Sequence, residues 1–216
     1  MNCRINLKVW STHFLFWICF FASQALSQTH AWVDQSRSSL QKNVFVSQSI
    51  DGEYGRFEKH LNQEQPSSDN NVLKQTWRGY GIQNGVGFEL FKFTQFTLSH
   101  TLLNLRSKNS SLEHMNGSRI SAGLNLVFSA PIGNLEFGAG VNAAQLDYQD
   151  VDKTASFVGS GHHYSIGMNY FLSPSVSVFG TGRRSESAYN NNGGDGRVEK
   201  IFSYYDSFSL GARVWF

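Results

Sequence analysis

The last segment of the chain, residues 201–216, alternates between apolar and polar side chains over its whole length. The largely apolar set consists of Phe202, Tyr204, Asp206, Phe208, Leu210, Ala212, Val214 and Phe216. Since strand side chains point to opposite faces with a period of two, the pattern predicts a long strand with one apolar face. At roughly 2.4 Å of vertical rise per residue in a tilted strand, Asp206 stands about 24 Å above the chain end, the height of a lipid-facing band. The segment therefore predicts the closing strand of a transmembrane β-barrel.

The first 27 residues have the three parts of a secretory signal peptide. Arg4 and Lys8 supply the basic start, residues 14–22 form an apolar core, and small residues follow. This core is far shorter than the roughly 20 residues that a membrane-spanning helix needs, although an uncleaved anchor is the alternative interpretation. We predict a signal peptide over residues 1–27 with cleavage after Ala25 or Ser27, a periplasmic lead-in over residues 28–40, and a barrel over residues 41–216.

Removal of the signal peptide changes the composition of the chain. Both cysteines, Cys3 and Cys19, lie within it, so the mature chain is predicted to contain no thiol and no disulfide. The chain has 18 basic and 16 acidic residues, and the signal peptide holds two of the basic residues, which leaves equal numbers. This balance gives no indication of nucleic-acid binding.

The rest of the chain divides into alternating segments joined by connections of two lengths. The predicted strands cover residues 42–50, 78–90, 94–106, 118–128, 135–148, 157–172, 176–187 and 201–216. Tight turns are predicted near residues 91–93, 130–134 and 173–175, and longer loops at residues 51–77, 107–117, 149–156 and 189–199. Bacterial barrels have an even strand number, short periplasmic turns and longer outer loops. We therefore predict an all-β, eight-stranded antiparallel up-and-down transmembrane barrel.

With these features the chain resembles the small eight-stranded outer-membrane proteins, namely the OmpX/Ail class and the membrane domain of OmpA. The resemblance is carried by the signal peptide, the rhythm of loops and turns, and the terminal run from Gly211 to Phe216. It implies a location in the outer membrane of a Gram-negative bacterium. It also implies that Phe216, with Trp215 beside it, is the signal that the barrel-insertion machinery recognises.

His163 and Ser165 form the sharpest enzymatic pattern in the sequence. They flank Tyr164 and resemble the His-x-Ser motif of outer-membrane lipid A deacylases. That family has Asn after the Ser, where this chain has Ile166, and its catalytic groups face lipid, whereas alternation turns these residues toward the lumen. Its His also needs an orienting acid, and the first carboxylate after Ser165 is Glu186 on the next strand. We therefore predict a hydrogen-bonded pair in the lumen, no enzymatic activity and no cofactor.

Five charged residues are candidates for binding or structural roles. Glu89, Glu136 and Arg213 fall on inward faces near periplasmic turns or the chain end, and we predict that they form a charge cluster that plugs the lumen. The alternative is that they are solvated rim residues of little energetic weight. Arg183 and Arg184 are predicted to contact lipopolysaccharide phosphates near the outer rim.

The sequence therefore predicts a non-enzymatic outer-membrane surface protein, structural or adhesive, with the loop at residues 51–77 as its main contact. The alternatives are a lipid A-modifying hydrolase and a narrow pore for small solutes. The expected partners are outer-membrane lipid, lipopolysaccharide, the insertion machinery and a host or matrix surface ligand, but no nucleic acid. No metal site is predicted, because the adjacent His162 and His163 point to opposite faces.

Overall fold

The computed structural model describes residues 43–61, 72–91, 93–108, 110, 112–130, 133–150, 153–194 and 198–216. The predicted signal peptide and lead-in, residues 1–40, lie outside the described residues and stay predictions. Among the residues described, there is no helix with the length and apolar character needed to cross a membrane.

Eight antiparallel strands close into a barrel in sequence order. The strands are β1 (Val44–Leu61), β2 (Val72–Phe91), β3 (Thr94–Ser107), β4 (His114–Ala130), β5 (Gly133–Asp150), β6 (Lys153–Ser173), β7 (Val176–Gly194) and β8 (Val198–Trp215). β8 pairs with β1, and the Phe216 N–H donates to the Val44 carbonyl at 2.8 Å. The predicted fold class, an eight-stranded antiparallel up-and-down barrel, is confirmed.

The faces of the strands also follow the predicted alternation. Phe208 and Leu210 in β8 and Phe216 directly after it are exposed on the outer wall, whereas Ser209 and Arg213 are buried in the lumen. Tyrosines lie at the outer edge of the apolar belt on several strands: Tyr54, Tyr80, Tyr164 and Tyr204. Such girdles mark the interfaces of a lipid-facing band.

The prediction of a long loop at residues 51–77 was wrong. β1 continues to Leu61 and β2 begins at Val72, so most of this segment is strand. The other long loops were predicted too long, because only residues 108–113, 151–152 and 195–197 separate the strands there. The strands are 14 to 21 residues long, whereas about 9–11 tilted residues cross a bilayer. The barrel wall therefore continues beyond the lipid, where outward residues need not be apolar and the strand pattern is lost from the sequence.

Candidate functional site

The candidate site is the lumen, which side chains fill in layers along the barrel axis. From the periplasmic end these are an inner pair (Arg213 and Glu136), a polar chamber, an outer pair (Arg119 and Glu53), an apolar plug and an outer cap. An eight-stranded barrel encloses only enough space for such a filling.

The inner pair is a buried ion pair with two hydrogen bonds. Arg213 Nη1 donates to Glu136 Oε1 at 2.5 Å and Nη2 donates to Oε2 at 2.9 Å. The guanidinium lies 4.8 Å from the ring centroid of Phe45 and 4.6 Å from that of Phe179. Glu89, the third residue of the predicted cluster, is half-buried on β2, where it pairs in register with Gln95. The ion pair therefore joins two of the three predicted charges.

The chain end completes this inner layer. Trp215 is turned into the lumen, where its ring packs 4.6 Å from that of Phe45 and its Nε1 donates to Ser177 Oγ at 2.9 Å. Phe216 is exposed on the outer wall. The two residues of the predicted insertion signal thus face opposite sides of the barrel.

The polar chamber above the inner pair is a cavity of about 50 Å³, large enough for water. His163 and Ser165 line it, as their inward alternation predicted, but the predicted hydrogen bond between them is not present among the described residues. The His163 Nδ1 is buried without a hydrogen-bond partner, and within the described part of the chain no carboxylate contacts this ring. Glu186 instead faces outward, where its Oε2 lies 3.9 Å from His162 Nε2. Among the described residues, His163 therefore has no carboxylate that would orient it as a base for Ser165.

The outer pair is more deeply buried than the inner pair. Arg119 Nη2 donates to Glu53 Oε1 at 2.8 Å, with side chains only 1% and 3% exposed. Arg119 Nη1 donates to the Tyr205 hydroxyl, and the guanidinium lies 5.1 Å from the centroid of that ring. Just below, Asp51 is buried and accepts a hydrogen bond from Ser49 Oγ at 2.9 Å. Sequence reasoning missed this pair because Glu53 lay in the segment predicted as loop.

The prediction for Arg183 and Arg184 was wrong for one of the two residues. Arg183 faces the lumen, where its Nη1 donates to Gln83 Oε1 at 3.4 Å. Arg184 faces outward and makes two hydrogen bonds to Asp206, at 2.8 and 3.0 Å. Because neighbouring residues of a strand point to opposite faces, only Arg184 can meet lipopolysaccharide.

An apolar plug fills the lumen on the outer side of Arg119. It is a cluster of buried residues from all eight strands: Phe57, Trp77, Leu103, Leu105, Met115, Ala144, Leu146, Ala155, Phe157, Tyr189 and Ile201. The outer cap lies against it, with Lys59 Nζ at 3.6 Å from Glu113 Oε1 and 4.1 Å from the Tyr148 ring centroid. The Tyr148 hydroxyl donates to the same carboxylate oxygen at 2.9 Å. The outer half of the lumen is therefore closed by packed rings and an ion pair.

The described residues contain no group of three side chains suited to holding a metal ion. No protein-family model and no curated protein matches the sequence.

Solved structures of several outer-membrane proteins are similar to this barrel. Neisserial surface protein A is 15% identical, with 80% of this chain and 97% of that chain covered and a TM-score of 0.51. OprG from Pseudomonas aeruginosa is 9% identical, with 81% of this chain and 96% of that chain covered and a TM-score of 0.56. The outer membrane protein AlkL is 13% identical, with 81% of this chain and 90% of that chain covered and a TM-score of 0.50. At these identities the similarity describes the fold alone. The protein is therefore a closed, eight-stranded antiparallel β-barrel that shares its fold with these outer-membrane proteins.

Proposed function

We propose that the protein is a non-conducting, non-enzymatic surface protein of a Gram-negative outer membrane, structural or adhesive, that acts through the part of its wall beyond the lipid. The observation that carries this proposal is the filled lumen. Within the described residues, two buried ion pairs and an apolar plug occupy successive levels of the lumen, which supports a barrel that does not conduct solutes. The fold shared with Neisserial surface protein A supports the location.

The extended walls of β1 and β2 are the main candidate contact surface. Arg56, Lys74 and Arg78 are exposed beyond the tyrosine girdle. Glu58 links two of them, with Oε1 at 3.0 Å from Arg56 Nη2 and 3.7 Å from Lys74 Nζ. Because these side chains project from paired strands, they form a fixed basic surface suited to an anionic matrix or cell-surface ligand.

Conductance measurements test whether the lumen is sealed. The purified barrel in a planar bilayer should show no discrete current steps, with a general porin in the same chamber as the positive control. Discrete steps from the wild-type barrel would reject the proposal in favour of the narrow pore. Lipid A from cells that express wild-type protein or His163→Ala should give identical mass spectra, since no hydrolysis is expected from either.

A binding comparison tests the contact surface. Cells that express the wild-type barrel should adhere to immobilised sulfated polysaccharide more strongly than cells with the Lys74→Gln and Arg78→Gln double substitution. Lys200→Gln, at an exposed position on β8, is the matched control for loss of a positive charge. Equal adhesion by all three proteins would reject the basic contact surface. The structural role would then be the part of the proposal that remains.

We also propose that Phe216 and Trp215 form the insertion signal and that Arg184 contacts lipopolysaccharide. Deletion of Phe216 should lower the amount of folded protein in the outer membrane, whereas Phe216→Tyr, which keeps the aromatic ring, should preserve it. Unchanged membrane levels after the deletion would show that the chain end is not a signal here.

A further inference from the structure

Three polar side chains face the lipid on adjacent strands. They are Gln48 on β1, Asn84 on β2 and His100 on β3, and the register places Gln48 beside Asn84 and Asn84 beside His100. All three are exposed on the outer wall, and Gln48 Nε2 donates to Asn84 Oδ1 at 3.1 Å. We call these residues the polar row.

The polar row lies in the middle of the lipid-facing band. On β2, Asn84 is four residues from Tyr80 and six from Leu90, about 10 and 14 Å at roughly 2.4 Å of rise per residue. Apolar side chains lie next to the row on both sides: Ile50, Ile82 and Leu102 above, and Val46, Val86 and Leu98 below. At this depth the lipid offers only acyl chains, since its polar groups lie at the interfaces.

Several hydrogen-bonding groups of the polar row have no protein partner. The contact between Gln48 and Asn84 uses one amide donor and one acceptor. The Gln48 Oε1, the Asn84 side-chain nitrogen and the His100 ring make no other hydrogen bond within the described parts of the chain. Polar groups in the membrane interior are costly, and where they occur they mark functional sites.

The opposite wall shows that this polarity is not a general property of the barrel. At comparable height, β5 and β6 expose Val141, Ile166 and Met168. β8 exposes Leu210 and Val214 on either side of the small Ala212, which pairs in register with Gln48. The row is therefore confined to β1–β3, and a small side chain borders it.

We propose that the polar row is the centre of a homodimer interface within the membrane. Two copies inserted in the same orientation can be related by a two-fold axis along the membrane normal, so each residue near that axis meets its own equivalent. An asparagine amide carries both a donor and an acceptor, which makes Asn84 complementary to the same side chain of a second copy. Small residues such as Ala212 allow close approach of two membrane-embedded surfaces. The row and its neighbours line one open groove, which a second wall would cover.

Single-cysteine crosslinking in native outer membranes tests this proposal. In a background with Cys3→Ser and Cys19→Ser, Asn84→Cys should form a disulfide-linked dimer on mild oxidation. Ile166→Cys, on the opposite wall at comparable height, is the matched control and should form none above background. Heat-modifiable migration on gels verifies that both variants are folded barrels.

A second variant separates a specific contact from chance collision. Asn84→Leu, which keeps the number and branching of the side-chain heavy atoms but removes the amide, should abolish the dimer of the otherwise unmodified barrel in sedimentation equilibrium, whereas Ile166→Leu should retain it. The proposal would be overturned by a folded Asn84→Cys barrel that does not crosslink, that crosslinks no better than Ile166→Cys, or that crosslinks to a different protein. A monomeric wild-type barrel in both detergent and membranes would also overturn it.

Discussion

The inner pair and the outer pair are both ion pairs between an arginine and a glutamate, but they lie in different surroundings. Arg213 meets Glu136 through two hydrogen bonds beside a cavity of about 50 Å³. Arg119 makes one hydrogen bond to Glu53 and donates a second one to the Tyr205 hydroxyl, beneath the apolar plug. The comparison shows what keeps a buried ion pair stable. One condition is that arginine and carboxylate stay paired, and the other is whether water can take the place of a partner that is removed.

This difference determines what happens when one partner is removed. A buried charge left without its partner costs roughly 3–5 kcal/mol, because neither the protein nor the solvent compensates it. Water in the polar chamber can compensate Glu136 in part. The cavity that Glu53 lines is only about 10 Å³ and is bordered by aromatic rings, so water has less access to this carboxylate. We therefore expect the outer pair to be the more sensitive of the two.

The largest effect is expected from Arg119→Ala. The substitution leaves Glu53 buried without its cation and removes the donor to Tyr205, so the free energy of unfolding should fall by about 3–5 kcal/mol. Urea unfolding of the barrel in lipid vesicles, followed by tryptophan fluorescence, measures this change. Arg78→Ala, at an exposed position on β2, serves as the control and should change the unfolding free energy little.

The double variant Arg119→Ala with Glu53→Gln gives the prediction a second measurement. It leaves the same packing defect as Arg119→Ala but removes the stranded charge of Glu53, so it should be more stable than the single variant. If the double variant is as unstable as the single one, lost packing and not a stranded charge accounts for the effect.

Arg213→Ala should have a smaller effect than Arg119→Ala, near 3 kcal/mol, because the polar chamber admits water to Glu136. Adding Glu136→Gln should restore part of the lost stability, since the remaining amide carries no charge. The same vesicle unfolding experiment measures both variants. A loss equal to or greater than that of Arg119→Ala would show that water does not enter the chamber.

The two pairs also show how far the sequence alone predicts this lumen. Glu136 and Arg213 could be placed at a common level because each lies near a periplasmic turn or the chain end. Glu53 lay in a segment predicted as loop, and Arg119 lies on a strand that does not neighbour β1. Their meeting depends on the stagger between β1 and β4, which alternation within a single strand does not encode.

The same limit explains why the outer half of the barrel was interpreted as loop. Within the lipid, most outward residues are apolar, as Phe208 is, so alternation identifies both the strand and its faces. Beyond the lipid, Arg56 and Glu58 occupy outward positions. The inward Phe57 between them is then a single apolar residue in a polar segment, and the alternation that predicts a strand is absent. The polar row was missed for a related reason, since Gln48, Asn84 and His100 become neighbours only through the register.

A moderate effect is expected from Tyr205→Phe, which tests the second partner of Arg119. It removes the hydroxyl that accepts from Nη1 but keeps the ring against the guanidinium. Hydrogen bonds to charged groups contribute about 1.5–3 kcal/mol, so the unfolding free energy should fall by about that amount. Tyr189→Phe, in the apolar plug, is the control for loss of a buried hydroxyl whose hydrogen-bond partners are Ser187 and Ser203 and not Arg119. Equal losses from both variants would show that the hydroxyl has no special role in the outer pair.

The smallest effect is expected from Arg184→Gln, which breaks an arginine–carboxylate pair on the outer surface of the barrel. Like the inner pair, Arg184 makes two hydrogen bonds to a carboxylate, here that of Asp206, but both side chains are exposed at the outer surface. Solvent there replaces the lost partner, so urea unfolding should show no resolvable change relative to wild type. The substitution should instead weaken the association of the barrel with lipopolysaccharide, measured by comparing its retention of lipopolysaccharide and of phosphatidylethanolamine on gels. A clear loss of stability would mean that geometry, and not burial, makes these pairs important, and it would remove the basis for ranking the outer pair first.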